Sequence, residues 1–472
     1  MKRRVVLYNP ESDFYTMPLA LLAIASHLDR ERYEPVIVDG RLERDAREAV
    51  LRAADGAVCV GVTVLSGAPI RDAVRISRAV KARNPALPVV WGGWHPSMFG
   101  AECLEEQSVD VTVQGQGEVA LLEIVDRLAR GESLEGCLGC SYRASDGSIR
   151  RNPARPLEDV NTLRPHDYSL IEVERYYRLK DRAQLDYITS QGCRFRCAFC
   201  ADPFVYERQW VGLDPARVGA EIEGWWRRFR FSDVNFQDET FFTSPSRVVA
   251  IAEQFLRRRL PITWAATMRA DQCSRLSDEA FETCKRSGLR RVLVGVESGS
   301  PAILKRIKKD ITVEQVLETA ARCLGLGIKV QFPFIVGFPD EDEDSVAATL
   351  ALVTRLRAMS PDFETMIFYF KPYPGSALTE EAVAQGYRLP RTLDEWSTFD
   401  YVGSRGPWVS DEKYRRVERF KFYTRLAWDP VPAWQRPLQR IARWRCRRDV
   451  YALPMERLLL ASVSGAHAQG PS

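Results

Sequence analysis

The segment "SQGCRFRCAFC", residues 190–200, places three of the chain's eleven cysteines, Cys193, Cys197 and Cys200, in a CxxxCxxC spacing just after the strand-like run Tyr187-Ile188-Thr189. Inert buried thiols have no reason to take this spacing in a loop, whereas clustered cysteines in a reduced compartment read as metal ligands or reactive groups. Structural zinc closes a tetrahedron with four Cys or His ligands. The four histidines, His27, His95, His166 and His467, all lie more than 25 residues from the loop, so zinc would need a distant partner. An iron–sulfur cluster is also normally held by four cysteines. Three would leave one iron open to an exogenous molecule, and one bearing an amine and a carboxylate could chelate it and accept an electron.

Around this loop the chain reads as strands alternating with helices. "LDYITS" (185–190), "DVNFQDE" (233–239), "ITWAATMR" (262–269), "RRVLVGVE" (290–297), "IKVQFPFIVG" (328–337) and "FETMIFYF" (363–370) are strand candidates, with helical patterns such as "TVEQVLETAARCLGLG" between them. Parallel strands joined by helices put their working face at the strand C-termini, where the cysteines fall. The pattern predicts a partial (β/α)6 TIM-like barrel over residues 183–390.

Upstream, "VVLYN", "EPVIVD", "VCVGVTV", "PVVWGG" and "VDVTVQG" form a second series. Near-continuous apolar runs are the mark of strands buried on both faces, so residues 1–145 are expected to form a five-stranded, doubly wound, Rossmann-like α/β domain. Its strand ends carry small residues: Thr63, Ser66 and Gly67, then Gly92 and Gly93, then Gly115 and Gly117. Ligands of such sheets sit beyond the carboxyl ends of the strands, and this row points to a nucleotide-like or corrin-like ligand, although no GxGxxG opens the first helix. Residues 146–182 read as a linker preceded by a hairpin. Residues 391–472 read as a helical, basic and aromatic extension.

Composition narrows the function classes. A chain of 472 residues with 45% hydrophobic and 28% charged residues suits a multidomain globular protein, and a net charge of +4 gives no global pull toward nucleic acid. The basic excess is local, with 13 Lys and Arg against 6 Asp and Glu between Asp411 and Leu460. The absence of a signal-peptide pattern and of a long apolar run leads to the expectation of a cytoplasmic protein without a transmembrane segment.

CxxxCxxC after the first strand of a βα barrel resembles the signature of the radical S-adenosylmethionine (radical SAM) enzymes. The resemblance implies a [4Fe-4S] cluster on Cys193, Cys197 and Cys200 whose open iron binds S-adenosylmethionine. Electron transfer then cleaves the sulfonium to a 5′-deoxyadenosyl radical, which takes hydrogen from an unactivated carbon. Phe199 matches the aromatic position near the adenine. "VGVESGS" (294–300), with Glu297, and "VGFPDED" (336–342), with Gly337, resemble cofactor-contacting segments of the family, and "KPYPGS" (371–376) resembles the turn after the sixth strand. "VVWGGWHP" (89–96) and "VDVTVQGQGE" (109–118) resemble the cobalamin-binding domain of the cobalamin-dependent members. The chain lacks the DxHxxG of proteins that ligate cobalt through histidine, a ligand that members of this fused class commonly lack.

The remaining candidates are weighed individually. Arg269 could pair with the cofactor carboxylate or with a neighbouring acid. Asp238 and Glu239 end the second barrel strand, where a carboxylate could orient substrate or act as a base, and Tyr206 could relay a proton or simply pack. His95 reads as a turn residue rather than a cobalt ligand, and "CLGC" (137–140) as ordinary packing. Arg443, Arg445, Arg447 and Arg448 with Trp444 form a solvated helical face, or a dock for an anionic substrate or membrane surface. The expected function is cobalamin-dependent C-methylation of a small biosynthetic intermediate, driven by an external one-electron reductant of flavodoxin or ferredoxin type. The alternatives are radical dehydration of an aminoglycoside-type diol, oxidative cyclisation as in anaerobic protoporphyrin-ester cyclases, and a cobalamin or redox sensor.

Overall fold

The computed structural model describes residues 2–13, 15–399, 405–452, 454–456 and 460; His467 and the end of the expected C-terminal extension lie outside them. The chain divides into two compact units. The first comprises Met1–Thr267, Leu276–Arg290 and Pro372–Tyr401, and the second comprises Met268–Arg275, Arg291–Lys371 and Val402–Ser472.

In the first unit, strands β1 (Arg3–Asn9), β2 (Tyr33–Asp39), β3 (Cys59–Thr63), β4 (Val89–Gly92) and β5 (Val111–Val113) form the five parallel members of a sheet. The antiparallel hairpin β6 (Cys140–Arg143) and β7 (Ile149–Arg151) extends it to the order β2-β1-β3-β4-β5-β6-β7. The reversal of order beside β1 is the doubly wound arrangement, with its crevice at the strand ends. The apolar runs explain the layering, because successive side chains point to opposite faces. Val6, Tyr8, Val60, Val62 and Trp91 enter one core, while Val5, Leu7, Cys59, Val90 and Val111 enter the other. Two polar side chains inside are paired: Tyr8 donates to Asp72 at 2.6 Å, and the Trp91 indole donates to Ser77 at 2.9 Å.

The same unit holds three parallel strands of the second series, β8 (Gln184–Tyr187), β11 (Asp233–Phe236) and β12 (Thr263–Met268), in the order β8-β11-β12. Between the first two of these, the short antiparallel pair β9 (Ser190–Gly192) and β10 (Trp210–Gly212) brackets the cysteine loop. Phe236, Phe241 and Trp264 pack together behind the strands, with Phe236 stacked on Phe241 at 4.6 Å. In the second unit, β13 (Leu289–Val294), β14 (Lys329–Val336) and β15 (Phe363–Tyr369) lie parallel in chain order. The helices Asp411–Trp428 and Arg436–Arg448 pack on one another there, with Arg443 donating to the Ala427 carbonyl at 2.9 Å.

One buried carboxylate ties the three strands of the first unit together at their N-terminal ends. Asp233, fully buried, accepts from Gln184 on β8, Thr263 on β12 and twice from Arg290, at 2.5 to 2.6 Å. Burial alone would raise its pKa, but the bonds from Arg290, Gln184 and Thr263 outweigh that and hold it below the usual aspartate range. Its stabilising contribution is therefore complete above the ordinary aspartate pKa and is lost as pH falls through the lowered value. Asp233→Ala should lower the unfolding free energy by about 3 kcal/mol, because it leaves half-buried Arg290 without its partner and Gln184 and Thr263 without their acceptor. Urea titrations at neutral pH test this, and the gap between variant and parent should close at strongly acidic pH.

Candidate functional site

The cysteine loop is held at both ends. Gly192, the last residue of β9, has φ +84°, and a Cβ there would come within 2.3 Å of the Gln209 carbonyl oxygen, so the hairpin closes only with glycine at this position. Arg194 lies over the Trp210 ring at 5.2 Å, and the Cys200 N–H donates to the Cys197 carbonyl at 3.2 Å. Cys197 is buried, and Cys193, Phe199 and Cys200 are half-buried. Burial pushes the Cys200 thiol up, and the neighbouring Asp202, Cys197 and Cys193 add to the shift. The turn of "KPYPGS" rests on this loop: Leu378 donates to the Ala198 carbonyl at 2.9 Å, and Gly375 (φ +79°) lies so near Phe204 that a Cβ would meet its ring at 2.6 Å.

Asp238 fixes the chain entering the loop. One carboxylate oxygen accepts from the Thr189 N–H at 3.0 Å, the Thr189 hydroxyl at 2.9 Å and the Ser190 hydroxyl at 2.5 Å. Its other oxygen has no partner, and burial raises the pKa against these bonds. Arg247 completes the anchor by donating to the Thr189 and Leu213 carbonyls at 2.7 and 2.9 Å. Tyr206 reaches Glu239 at 3.5 Å and packs edge-on against Trp94. Glu239 has a buried, unpartnered oxygen, and burial, with Asp202 nearby, raises its pKa to about 8. At neutral pH it is a protonated acid able to donate.

Tyr206 and Glu239 line a cavity of about 290 Å³ together with Thr63, Gly92, Gly93, Gly115 and Gly117 from the ends of the five-stranded parallel set. The glycine row thus meets the segment that follows the cysteine loop. Three polar residues absent from the sequence-based site complete the wall. Gln116 donates to Gln191 at 2.8 Å and Gln191 donates to Glu118 at 3.3 Å; Gln116 and Glu118 adjoin the marked Gly117, and Gln191 stands two residues before Cys193. His166 also lines the cavity, and burial first, then His27 and Arg217, lowers its pKa to about 4, so it is neutral.

Ser66 does not line this cavity. It pairs with His95 Nδ1 at 3.1 Å, while His95 is fully buried against Phe99 and Trp396, and burial lowers its pKa to about 4. Cys137 and Cys140 are buried, the Cys140 thiol donating to the Cys137 carbonyl at 3.2 Å. In the second unit, Arg269 donates to Asp271 at 2.9 Å and to the Lys309 carbonyl at 2.5 Å. Glu297, with φ +68° and a one-residue bridge to Phe334, is buried and accepts from Lys309 Nζ at 2.7 Å. No sequence motif marks Lys309. The Gly337 N–H donates to Glu341 and its carbonyl accepts from the Trp408 indole, both at 2.5 Å, and burial raises Glu341 to about 7.

Against known proteins, residues 187–353 match the Radical SAM superfamily and residues 4–125 match the B12 binding domain. An uncharacterized methyltransferase of Pyrococcus horikoshii is 30% identical over 420 residues, covering 86% of this chain and 88% of its own. The chain belongs to the radical SAM superfamily. The anaerobic magnesium-protoporphyrin IX monomethyl ester cyclase of Rubrivivax gelatinosus is 26% identical over 373 residues, covering 77% of this chain and 66% of its own. The structure of the radical SAM methyltransferase TsrM from Kitasatospora setae, with cobalamin and a [4Fe-4S] cluster bound, superimposes with a TM-score of 0.69 at 20% identity, covering 82% of this chain and 75% of that one. The α/β architecture is that of a Rossmann-like cobalamin domain, a radical SAM barrel-like region and a helical C-terminal part.

The cofactors of such a radical SAM enzyme are a [4Fe-4S] cluster, S-adenosylmethionine and cobalamin, and the residues present fit them. Among the described residues no three His, Cys, Asp or Glu side chains are gathered around a point where a single metal ion would sit. A [4Fe-4S] cluster is held by cysteine thiolates, and three cysteines on one loop supply that donor type with one iron left open. The corrin needs close approach to backbone, and a Cβ at Gly115 would stand in open space, with nothing within 4 Å.

Gly92 has room for a side chain that would enter the cavity, its nearest neighbour from a Cβ being Val113 at 3.8 Å. Gly92→Leu should therefore weaken cobalamin retention by tenfold or more, in line with an overpacking cost of about 1–3 kcal/mol, while the thermal midpoint of the apoprotein stays near the parent value; corrin absorbance and scanning calorimetry measure the two. Glu239→Gln should raise the urea midpoint of the apoprotein at pH 8 and leave it unchanged near pH 4. A carboxyl with a raised folded-state pKa binds its proton more tightly folded than unfolded, so it loses stability as pH climbs from about 4.5 toward 8.

Proposed function

We infer that this radical SAM enzyme is a cobalamin-dependent methyltransferase that alkylates an unactivated carbon of a small biosynthetic intermediate. The observation that carries the reading is the shared cavity, in which the strand-end glycines of the cobalamin-type sheet face Tyr206 and Glu239, which follow the cysteine loop. A methyl donor and a hydrogen-abstracting radical must act on one substrate carbon in turn, so their binding elements must open on one space. When bound, the cofactors supply an adenosyl radical that removes hydrogen and a methyl group that replaces it.

The chain's own residues bind, orient and enclose. Cys193, Cys197 and Cys200 hold the cluster, and Phe199, Arg269, Glu297 and Gly337 serve S-adenosylmethionine. Thr63, Gly92, Gly93, Gly115 and Gly117 shape the corrin site, while Ser66 stands outside it, paired with buried His95. Asp238 positions the loop, and Tyr206 with Glu239 holds a proton at the cavity wall. In this reading residues 1–145 bind cobalamin, 146–182 connect, 183–390 generate the radical and 391–472 close the structure. Radical SAM enzymes draw electrons from an external reductant, and a cytosolic flavodoxin or ferredoxin fits that role.

A second reading, radical elimination or oxidative cyclisation, is favoured by the Tyr206–Glu239 pair, since a protonated carboxyl beside a phenol suits departure of a hydroxyl. Product mass separates them. Anaerobically reconstituted protein given reductant, S-adenosylmethionine and cobalamin should yield, from metabolites of gene-deleted cells, a product heavier by one CH₂. A product lighter by water, or by hydrogen alone, would move the assignment to the second reading. The Cys193→Ala/Cys197→Ala/Cys200→Ala variant should hold no iron and form no product.

A further inference from the structure

The helix Arg436–Arg448 in the second unit carries a surface that the methyl-transfer reading does not use. From Val431 to Arg448 the chain has six arginines and no acidic residue. Arg436, Arg440, Arg443 and Arg447 recur at i, i+4, i+7 and i+11, and all four are exposed. Such spacing lines them up along one side of a helix. Trp434, Pro437, Ile441 and Trp444, at i, i+3, i+7 and i+10, form a second row beside the first, Trp434 lying in the turn Ala433–Gln435 that leads into the helix.

The apolar row is exposed where aromatic residues are normally covered. Trp434 is 53%, Trp444 54% and Ile441 41% accessible, while the opposite side of the helix, with Ala442, Arg445 and Cys446, is buried. The side chains of Arg436, Arg440, Arg447 and Arg448 have no hydrogen-bond or ion-pair partner among the described residues. The acids at either end are already engaged, Asp429 by Arg357 and Asp449 by Arg416. Arg445 turns inward to Glu456 at 3.0 Å. The surface thus keeps its positive charge and its tryptophans outward together.

We propose that this face docks the protein on the anionic headgroups of a phospholipid surface. A helix lying in the membrane interface pairs an apolar row of Trp and aliphatic residues with basic residues on its polar side, and tryptophan favours the headgroup level because its ring is part apolar and part wet. An acidic protein partner would use the arginines but would have no need of Ile441 and Trp444 exposed beside them on the helix, with Trp434 on the turn before it. No helix among the described residues is long and apolar enough to cross a membrane, so the attachment is peripheral.

The test is co-sedimentation of the full-length holoprotein with phosphatidylcholine vesicles made with and without phosphatidylglycerol. Binding should require phosphatidylglycerol and weaken with salt. Each arginine near an anionic surface contributes roughly a fivefold gain in partitioning, so Arg436→Gln/Arg440→Gln/Arg447→Gln should reduce partitioning about a hundredfold by the same measure. Ile441→Ser/Trp444→Ser should also reduce it while every arginine is kept, and circular-dichroism melts should show both variants folded. Binding to neither vesicle, equal binding to both, or insensitivity to either variant overturns the proposal. So does sedimentation velocity showing a dimer that Ile441→Ser/Trp444→Ser dissociates, or capture of an acidic reductase through this face with no vesicle binding.

Discussion

Three donors, the Thr189 N–H and the hydroxyls of Thr189 and Ser190, converge on one oxygen of Asp238, and the direction in which the chain leaves β8 follows from that convergence. The loop that follows carries three cysteines within eight positions, and its direction is set at this root. Neutral donors clustered on one buried carboxyl are a rigid way to fix that root, since each bond is deep enough to be shielded from water. Arg247 holds the Thr189 and Leu213 carbonyls on either side of the loop. The glycine closure at Gly192 and the arginine over Trp210 complete a frame around the cysteines.

The cavity beside that frame combines two chemistries in one compact unit. Its glycines leave backbone bare at the wall, while Gln116, Gln191 and Glu118 give a hydrogen-bonded wall and Glu239 a neutral carboxyl. A low-dielectric enclosure keeps such an acid protonated and keeps water away from a reactive carbon. His166 and His95 are both held neutral by burial, yet only His166 faces the cavity. The buried ring of His95 braces Ser66 and the aromatic contact with Trp396.

The parts of this arrangement that were readable from sequence are those whose signal is local. The apolar strand runs place five parallel strands, small residues at successive strand ends mark the crevice, and the CxxxCxxC spacing singles out the loop that follows β9. The extension of the sheet by the hairpin at 140–151 was less readable, because its second strand, Ile149–Arg151, is exposed and carries no alternation. Gln116, Gln191 and Lys309 escaped notice because a glutamine or lysine becomes a site residue only through a partner distant in sequence. Asp238 was seen as a carboxylate at a strand end, but its bonding to Thr189 and Ser190 crosses 48 or more residues and leaves no trace in spacing. The same holds for Ser66, whose neighbour His95 turns it away from the crevice.

The contact of Gly375 and Leu378 with Phe204 and Ala198 bears on how the protein is made. A nascent chain emerges N-terminus first and its early segments fold as they appear, so the sulfur-bearing loop is exposed long before the turn that rests on it has been synthesised. The closing contacts can form only once residues 375–378 have been made, so a polypeptide ending before this turn would be released with the cysteine loop lacking them.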